Sequence, residues 1–365
     1  MKSLTWRALC PRILALPLFF FGATALPSHA ASAEKSPVTH TTIRPGQPWL
    51  DTNGVHINAH GFSVIEVDGR YYWYGSEKIP GKTEDEKNEA GVRLYVSDDL
   101  LNWEDKGRVL DVFAPGAHPE LAEAFILDRP KVLFNPTTQK FILYFKLYPP
   151  KAKGGKSGKD YAWVGVATSS TPTGPFDYQG YFLGNHSEFG TGDFAIFADT
   201  DGAIYHIAVR KPDKALVYGR LSADGLKPES EYKVLEGVTL KTEAPAFFRR
   251  GEKVYLLGSG TSGWNPNPAR MFVADRFTGP YTALPNPCIG VNPINKLGPD
   301  KTFGGQSTFV YPVPGRKDAW IAMFDINQPE DPINAGYIWL PIEFEGETPV
   351  IRWRDEWDLS VFSKE

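Results

Sequence analysis

The sequence predicts an all-β protein, a five-bladed β-propeller, and three observations carry that expectation. A short apolar strand opens on, or just after, a polar residue five times, at His60, Asp128, Asp193, Glu243 and Gln306. A Gly- or Asp-containing turn usually follows, and then an aromatic strand such as Tyr71-Tyr72-Trp73-Tyr74 or Lys140-Phe141-Ile142-Leu143-Tyr144-Phe145. The recurrence has a period of roughly 40–60 residues, the mark of solenoids and propellers, and short strands without helical periodicity select the propeller.

The elements follow in order. Lys2, Arg7 and Arg12 precede an apolar run from Ile13 to Leu26, with small residues around Ala30 and Ala31. Residues 1–30 therefore read as a signal peptide and 31–48 as a leader, which places the protein outside the cytoplasm, secreted or periplasmic. The apolar run is shorter than the about 20 residues of a membrane span, so no membrane anchor is expected. Residues 49–365 form the propeller. Its units run from about Gly61 to Val112, Phe125 to Leu183, Asp193 to Leu235, Glu243 to Leu284 and Gly305 to Trp357, each expected to be four-stranded. Thr173-Gly174-Pro175-Phe176 and Thr278-Gly279-Pro280-Tyr281 set turns whose aromatic residue packs between blades, and Asp98-Asp99-Leu100-Leu101-Asn102-Trp103 takes that place in the first unit. Most of the 10 Trp and 16 Tyr are expected in interblade core, leaving a minority to line a cleft.

Composition narrows the function. The formal charge of −4 becomes −7 once the three signal-peptide cations are removed, which is not the basic footprint of a nucleic-acid binder. The one cationic run, Lys151 to Lys159, is Gly-rich and reads as a surface loop. Cys288 is the only cysteine after the leader, so no internal disulfide forms and stability rests on core burial. No spacing of Cys, His and carboxylates reads as a metal site. No cofactor is expected; a structural Ca²⁺ on the axis is compatible with the sequence, because oxygen ligands leave no spacing to read. A monomer is expected.

In a radial array the first residues of the innermost strands converge on the axis. Glu243 opens such a strand and is followed by Ala244-Pro245-Ala246, so desolvation would raise its pKa and keep it protonated near neutrality. Asp193, read at the same register one blade earlier, would sit beside it and raise that pKa further. This pairing suits acid-assisted hydrolysis of a glycosidic bond, in which one group protonates the leaving oxygen and another positions the nucleophile. Asp128 can accept hydrogen bonds from sugar hydroxyls, Gln306 reads as a hydroxyl-binding amide, and His60 either touches substrate or closes the funnel. Trp264, in Thr261-Ser262-Gly263-Trp264-Asn265-Pro266-Asn267, is a candidate stacking platform.

These pieces in their order resemble glycoside hydrolase family 43, and within it the exo-β-1,3-galactanase branch. The likeness runs from Trp49-Leu50-Asp51-Thr52-Asn53-Gly54 to Trp339-Leu340-Pro341. It rests on Ile57-Asn58-Ala59-His60-Gly61, Arg129-Pro130-Lys131-Val132, Glu243-Ala244-Pro245-Ala246, the Trp264 loop and Gln306-Ser307-Thr308. The resemblance implies an inverting exo-enzyme on oligo- or polysaccharide, with Glu243 as general acid and Asp193 as its pKa-tuning partner. It also implies that Gln306, where the wider family has an Asp base in the first blade, takes part in activating water through its imidic tautomer. Tyr161, Thr261 and Trp264 match positions lining the terminal galactose pocket. Two departures stand out: Asp128 replaces the usual Glu, and Gly75-Ser76-Glu77 replaces Tyr-Gly-Glu, which makes Glu77 a further candidate contact. They keep open an α-L-arabinofuranosidase or another family 43 exo-glycosidase, and the loss of the first-blade Asp base keeps open a catalytically silent sugar-binding propeller.

Overall fold

The computed structural model describes residues 37–82, 89–123, 126–148, 162–184, 190–211, 213–263 and 265–364. Five antiparallel sheets follow one another along the chain. The first blade comprises His60–Val67, Arg70–Lys78, Glu89–Ser97 and Glu104–Asp111. The second comprises Ile126–Asn135, Lys140–Tyr148, Trp163–Ser169 and Asp177–Phe182. Thr191–Ala198, Ile204–Arg210, Leu216–Arg220 and Lys233–Val234 make the third. Thr242–Arg250, Lys253–Gly260, Arg270–Ala274 and Thr282–Leu284 make the fourth. The fifth blade has five strands rather than four: Cys288–Ile289 adds in parallel beyond Thr348–Arg352, outside Gln306–Pro312, Trp320–Asp325 and Tyr337–Glu345.

Strand alternation explains why the blades close into a ring. Successive side chains point to opposite faces, so each middle strand serves two neighbours. In the first blade Tyr72 and Tyr74 join an apolar cluster with the second, while Trp73 turns the other way and joins the fifth. In the second blade Leu143 and Phe145 face the first, and Ile142 and Tyr144 face the third. Comparable clusters fill the interfaces between blades three and four and between four and five.

The first–fifth interface closes the ring with aromatic residues. Trp73 packs 4.7 Å from Trp339 and edge-on to Tyr337 at 4.8 Å, with Trp49 against both tryptophans. Such pairs add about 0.5–1.5 kcal/mol each beyond their buried area. The Tyr337 hydroxyl accepts from Ala59 N and donates to Ile57 O, so the fifth blade also fixes the backbone leading into His60. Outside the ring, Ile43 bridges Trp357 and ties the chain's two ends. Cys288 is buried, as expected of a core thiol. Residues 1–36, which hold the signal-peptide reading and the start of the leader, and both charged loops, 83–88 and 149–161, lie outside the described residues. Among the described residues, no helix is long and apolar enough to cross a membrane.

Candidate active site

Every innermost strand carries a β-bulge close to its start. The ladder shifts between His60 and Ser63, Asp128 and Lys131, Glu243 and Ala246, and Ser307 and Phe309, and opposite Ala208–Arg210 in the third blade. A bulge bends the strand and re-aims side chains, here toward the axis. The residue after the polar one adopts left-handed backbone in three blades: Gly61 at φ 60°, Arg129 at 52° and Ala244 at 52°. For Arg129 and Ala244 this conformation costs about 1–2 kcal/mol, held in place by the surrounding ladder.

The register corrects one expectation. His60, Asp128, Glu243 and Gln306 pair with Ser76, Lys146, Ser259 and Asp325 on the returning strands. The corresponding third-blade residue is Thr191, paired with Arg210. Asp193 stands two residues further on, inside the bulge, because that innermost strand begins earlier than its apolar run suggests. The bulge nonetheless brings its carboxylate into the central network.

That network is built around Arg129, which is 4% exposed. Its guanidinium lies 3.0 Å from Asp193 Oδ1 and donates to Gln306 Oε1 at 2.5 Å and to Ser307 O at 3.4 Å. Lys146 Nζ also donates to Asp193 Oδ1, at 2.8 Å. Gln306 Nε2 then donates to Glu243 Oε1 at 3.2 Å and to Ser259 Oγ at 3.1 Å. Second, third, fourth and fifth blades thus meet through one chain of charge-assisted contacts. A small polar pocket lined by Ser259, Asn265, Asn267, Gln306, Asp325 and Asn327 lies beside it.

Two carboxyls in one network are driven apart. Burial raises Glu243, the charge of Asp193 raises it further, and Arg129 and Lys146 only partly offset this, leaving it at about 7 against an ordinary 4.5. Burial also opposes ionisation of Asp193, but the Arg129 and Lys146 charges outweigh it and hold that carboxyl well below the usual range. One group is a protonated acid near neutrality and the other a fixed anion.

Blades one and five supply a second cluster. Asp325 Oδ1 lies 3.1 Å from His60 Nδ1, and Asp325 Oδ2 accepts from Gly61 N at 2.7 Å. His60 stacks on Tyr337, ring centroids 5.4 Å apart. Lys131 Nζ, buried on the axis, donates to Gly61 O, Phe62 O and Pro130 O at 2.7, 2.9 and 3.3 Å, tying the first two bulges together. Burial and then the Arg129 charge push its pKa down to about 7. Asp128 Oδ1 accepts from the backbone N of Arg129 at 2.7 Å; the guanidinium turns instead to Asp193 and Gln306.

The remaining expectations divide. Glu77 is placed away from this cluster: Arg93 Nη1 donates to its Oε1 at 2.9 Å, and Arg108 Nε donates to its Oε2 at 2.6 Å. Alternation explains it, since Ser76 shares the face of His60 and Glu77 takes the other. Thr261 follows directly on the strand that carries Ser259. Tyr161 and Trp264 lie outside the described residues. Sequence reasoning missed Lys146, Ser259, Asp325 and the bridging role of Arg129. A signal existed for two of them: Lys146 interrupts an otherwise apolar strand and Asp325 ends one, positions where a charge requires a buried partner. Among the described residues no three His, Cys, Asp or Glu side chains gather as metal ligands.

Comparison with known proteins bears on the family and the fold. No curated protein matches the chain. Among solved structures it is similar to the family 43 β-1,3-galactosidase BT0265, with 32% identity, TM-score 0.74, and coverage of 88% of this chain and 64% of that one. It therefore spans somewhat under two thirds of that relative. The family 43 β-1,3-galactosidase BT3683, solved with galactodeoxynojirimycin, gives 30% identity, TM-score 0.75, and coverage of 87% and 100%. An exo-β-1,3-galactanase from Clostridium thermocellum gives 28% identity, TM-score 0.73, and coverage of 89% and 68%. The sequence profile of glycosyl hydrolases family 43 matches residues 55–329, and the chain belongs to that family.

Proposed function

We propose that the protein is an inverting exo-glycosidase that removes terminal β-1,3-linked galactose from galactan and arabinogalactan backbones. The observation that carries this reading is the separation of roles between Glu243 and Asp193 at the axis, in a chain 30–32% identical to two β-1,3-galactosidases. Glu243 protonates the glycosidic oxygen as it leaves. Asp193, locked as an anion by Arg129 and Lys146, keeps Glu243 protonated and accepts hydrogen bonds from the sugar. Gln306 orients Glu243 and Ser259 and contacts the sugar, and Asp128 takes a sugar hydroxyl. Tyr161, Thr261 and Trp264 match positions that line the terminal galactose pocket in the galactanase branch, and sugar binding is assigned to them on that match. The basic, apolar and small-residue order of residues 1–30 supports export before the enzyme meets its polysaccharide.

The test is digestion of linear β-1,3-galactan with the product series followed by chromatography. Galactose alone from the first minutes supports the exo reading. A ladder of oligosaccharides, or arabinose released from arabinan with galactan untouched, would reject it.

A further inference from the structure

The bulges that open the first and second blades share one buried cation. Lys131 Nζ donates to Gly61 O and Phe62 O in the first blade and to Pro130 O in the second, at 2.7, 2.9 and 3.3 Å. An ammonium carries three donors, so these carbonyls saturate it, whereas a neutral amine would leave one of them unmatched. With its pKa held at about 7, the group is mostly ammonium at pH 6. The two bulges also touch: a Cβ on Gly61 would lie 2.9 Å from Asp128 Oδ1 and 3.0 Å from Arg129 N. Thr308 Oγ1 of the fifth blade donates to the same Phe62 O at 3.3 Å, and Val132 N donates to Ser63 Oγ at 3.1 Å. Lys131 thus grips the backbone on either side of Arg129, whose left-handed conformation the surroundings must hold.

A structural Ca²⁺, which the sequence leaves room for on the axis, does not fit these residues. Ca²⁺ takes about six to eight oxygen ligands at roughly 2.3–2.6 Å. The carbonyls that face Lys131 are already bound to its ammonium, and Arg129 is a second buried cation in the same field. The nearby aspartates are committed as well: Asp193 to Arg129 and Lys146, Asp325 to His60 and Gly61 N, and Asp128 to Arg129 N. Three basic side chains, Arg129, Lys131 and Lys146, balance these three aspartates, so no surplus of anions calls for a divalent ion.

We propose that Lys131 is the internal cation of the propeller axis and a positioning residue for hydrolysis. In place of a metal ion, its ammonium clamps the first bulge to the second and so holds Arg129 against Asp193 and Gln306. The effect on turnover rests on the roles given to Glu243 and Asp193 above; the clamp itself does not.

Melting curves and kinetics at pH 6 test the clamp. Lys131→Met, which keeps the length and removes the donors, should melt about 5 °C or more below wild type. Lys131→Ala should melt lower still and lose about 10–100-fold in kcat on β-1,3-galactobiose, as a displaced Arg129 network requires. Methylammonium chloride, against sodium chloride at equal ionic strength, should raise both the melting temperature and kcat of Lys131→Ala. It should leave Lys131→Met unchanged, because only the alanine variant has room for the added cation. Neither EDTA nor Ca²⁺ should move the wild-type melt. A Lys131→Met enzyme that melts and turns over like wild type would overturn the clamp. A wild-type melt that EDTA lowers and Ca²⁺ restores would overturn the exclusion of the metal, and this arm decides even where the variants do not fold. Wild-type inertness on the disaccharide would reject the substrate reading alone, since the melts need no substrate.

Discussion

Replacing Asp193 by Asn tests the electrostatic design of the site most sharply. The substitution keeps the shape of the side chain and removes its charge. Glu243 stands at about 7 because of burial first and the Asp193 charge second, against the opposing pull of Arg129 and Lys146. Losing the anion removes the repulsion and leaves both cations uncompensated, so both changes lower the Glu243 pKa. If it returned fully to 4.5, the protonated fraction at pH 7 would fall from about one half to about one in 300, a loss of about 150-fold. Burial persists, so this is the upper bound. The basic limb of the kcat/KM profile on galactobiose should therefore move from near pH 7 toward acid, with activity recovering below about pH 5. An aryl galactoside with a good leaving group needs little protonation and should show a weaker shift. Breaking a buried ion pair also costs about 3–5 kcal/mol of stability, so melting curves must accompany each profile. A folded Asp193→Asn enzyme whose basic limb stays where the wild type's lies would refute the reasoning.

Further outcomes follow from the same geometry. Glu243→Gln should lose about 10²–10⁴-fold in kcat on the natural disaccharide while retaining binding by calorimetry. The same variant bears on stability. The folded pKa of Glu243 lies above the unfolded one, so its destabilising effect is absent below about pH 4.5, grows as pH rises through 7 and is complete above. Glu243→Gln should thus melt higher than wild type once pH rises past about 4.5, the margin growing to its full extent above neutrality, about 1–2 kcal/mol once partial exposure is allowed for. Gly61→Ala would place a Cβ 2.9 Å from Asp128 Oδ1 at φ 60° and should destabilise clearly, whereas Ala244→Gly, at the equivalent bulge position, should be neutral or stabilising by thermal melt. Trp339→Ala, at the seam between first and last blades, should cost about 3–5 kcal/mol in denaturant titration.

The blades were legible because alternation and turn chemistry repeat, and a repeat can be checked against itself. The fifth strand of the last blade was not, since Cys288–Ile289 is too short to show any pattern. The polar residues that open the innermost strands were readable for the same reason as the blades. Their partners were not, because Lys146, Ser259 and Asp325 reach the axis through the register of a returning strand, which bulges shift by one residue. The bulges also explain Asp193, whose carboxylate reaches the network from a position that simple alignment of strand starts misplaces. Glu77 shows the opposite limit: one step of alternation sends it into a two-arginine clamp rather than into the network around Arg129.

The central claim is that this propeller hydrolyses a terminal β-1,3-galactosidic bond with inversion, and proton NMR of the first minutes of galactobiose hydrolysis tests it directly. The account requires α-galactose to appear first, with β-galactose growing only by mutarotation. Initial release of β-galactose, or no turnover by folded enzyme, would contradict it.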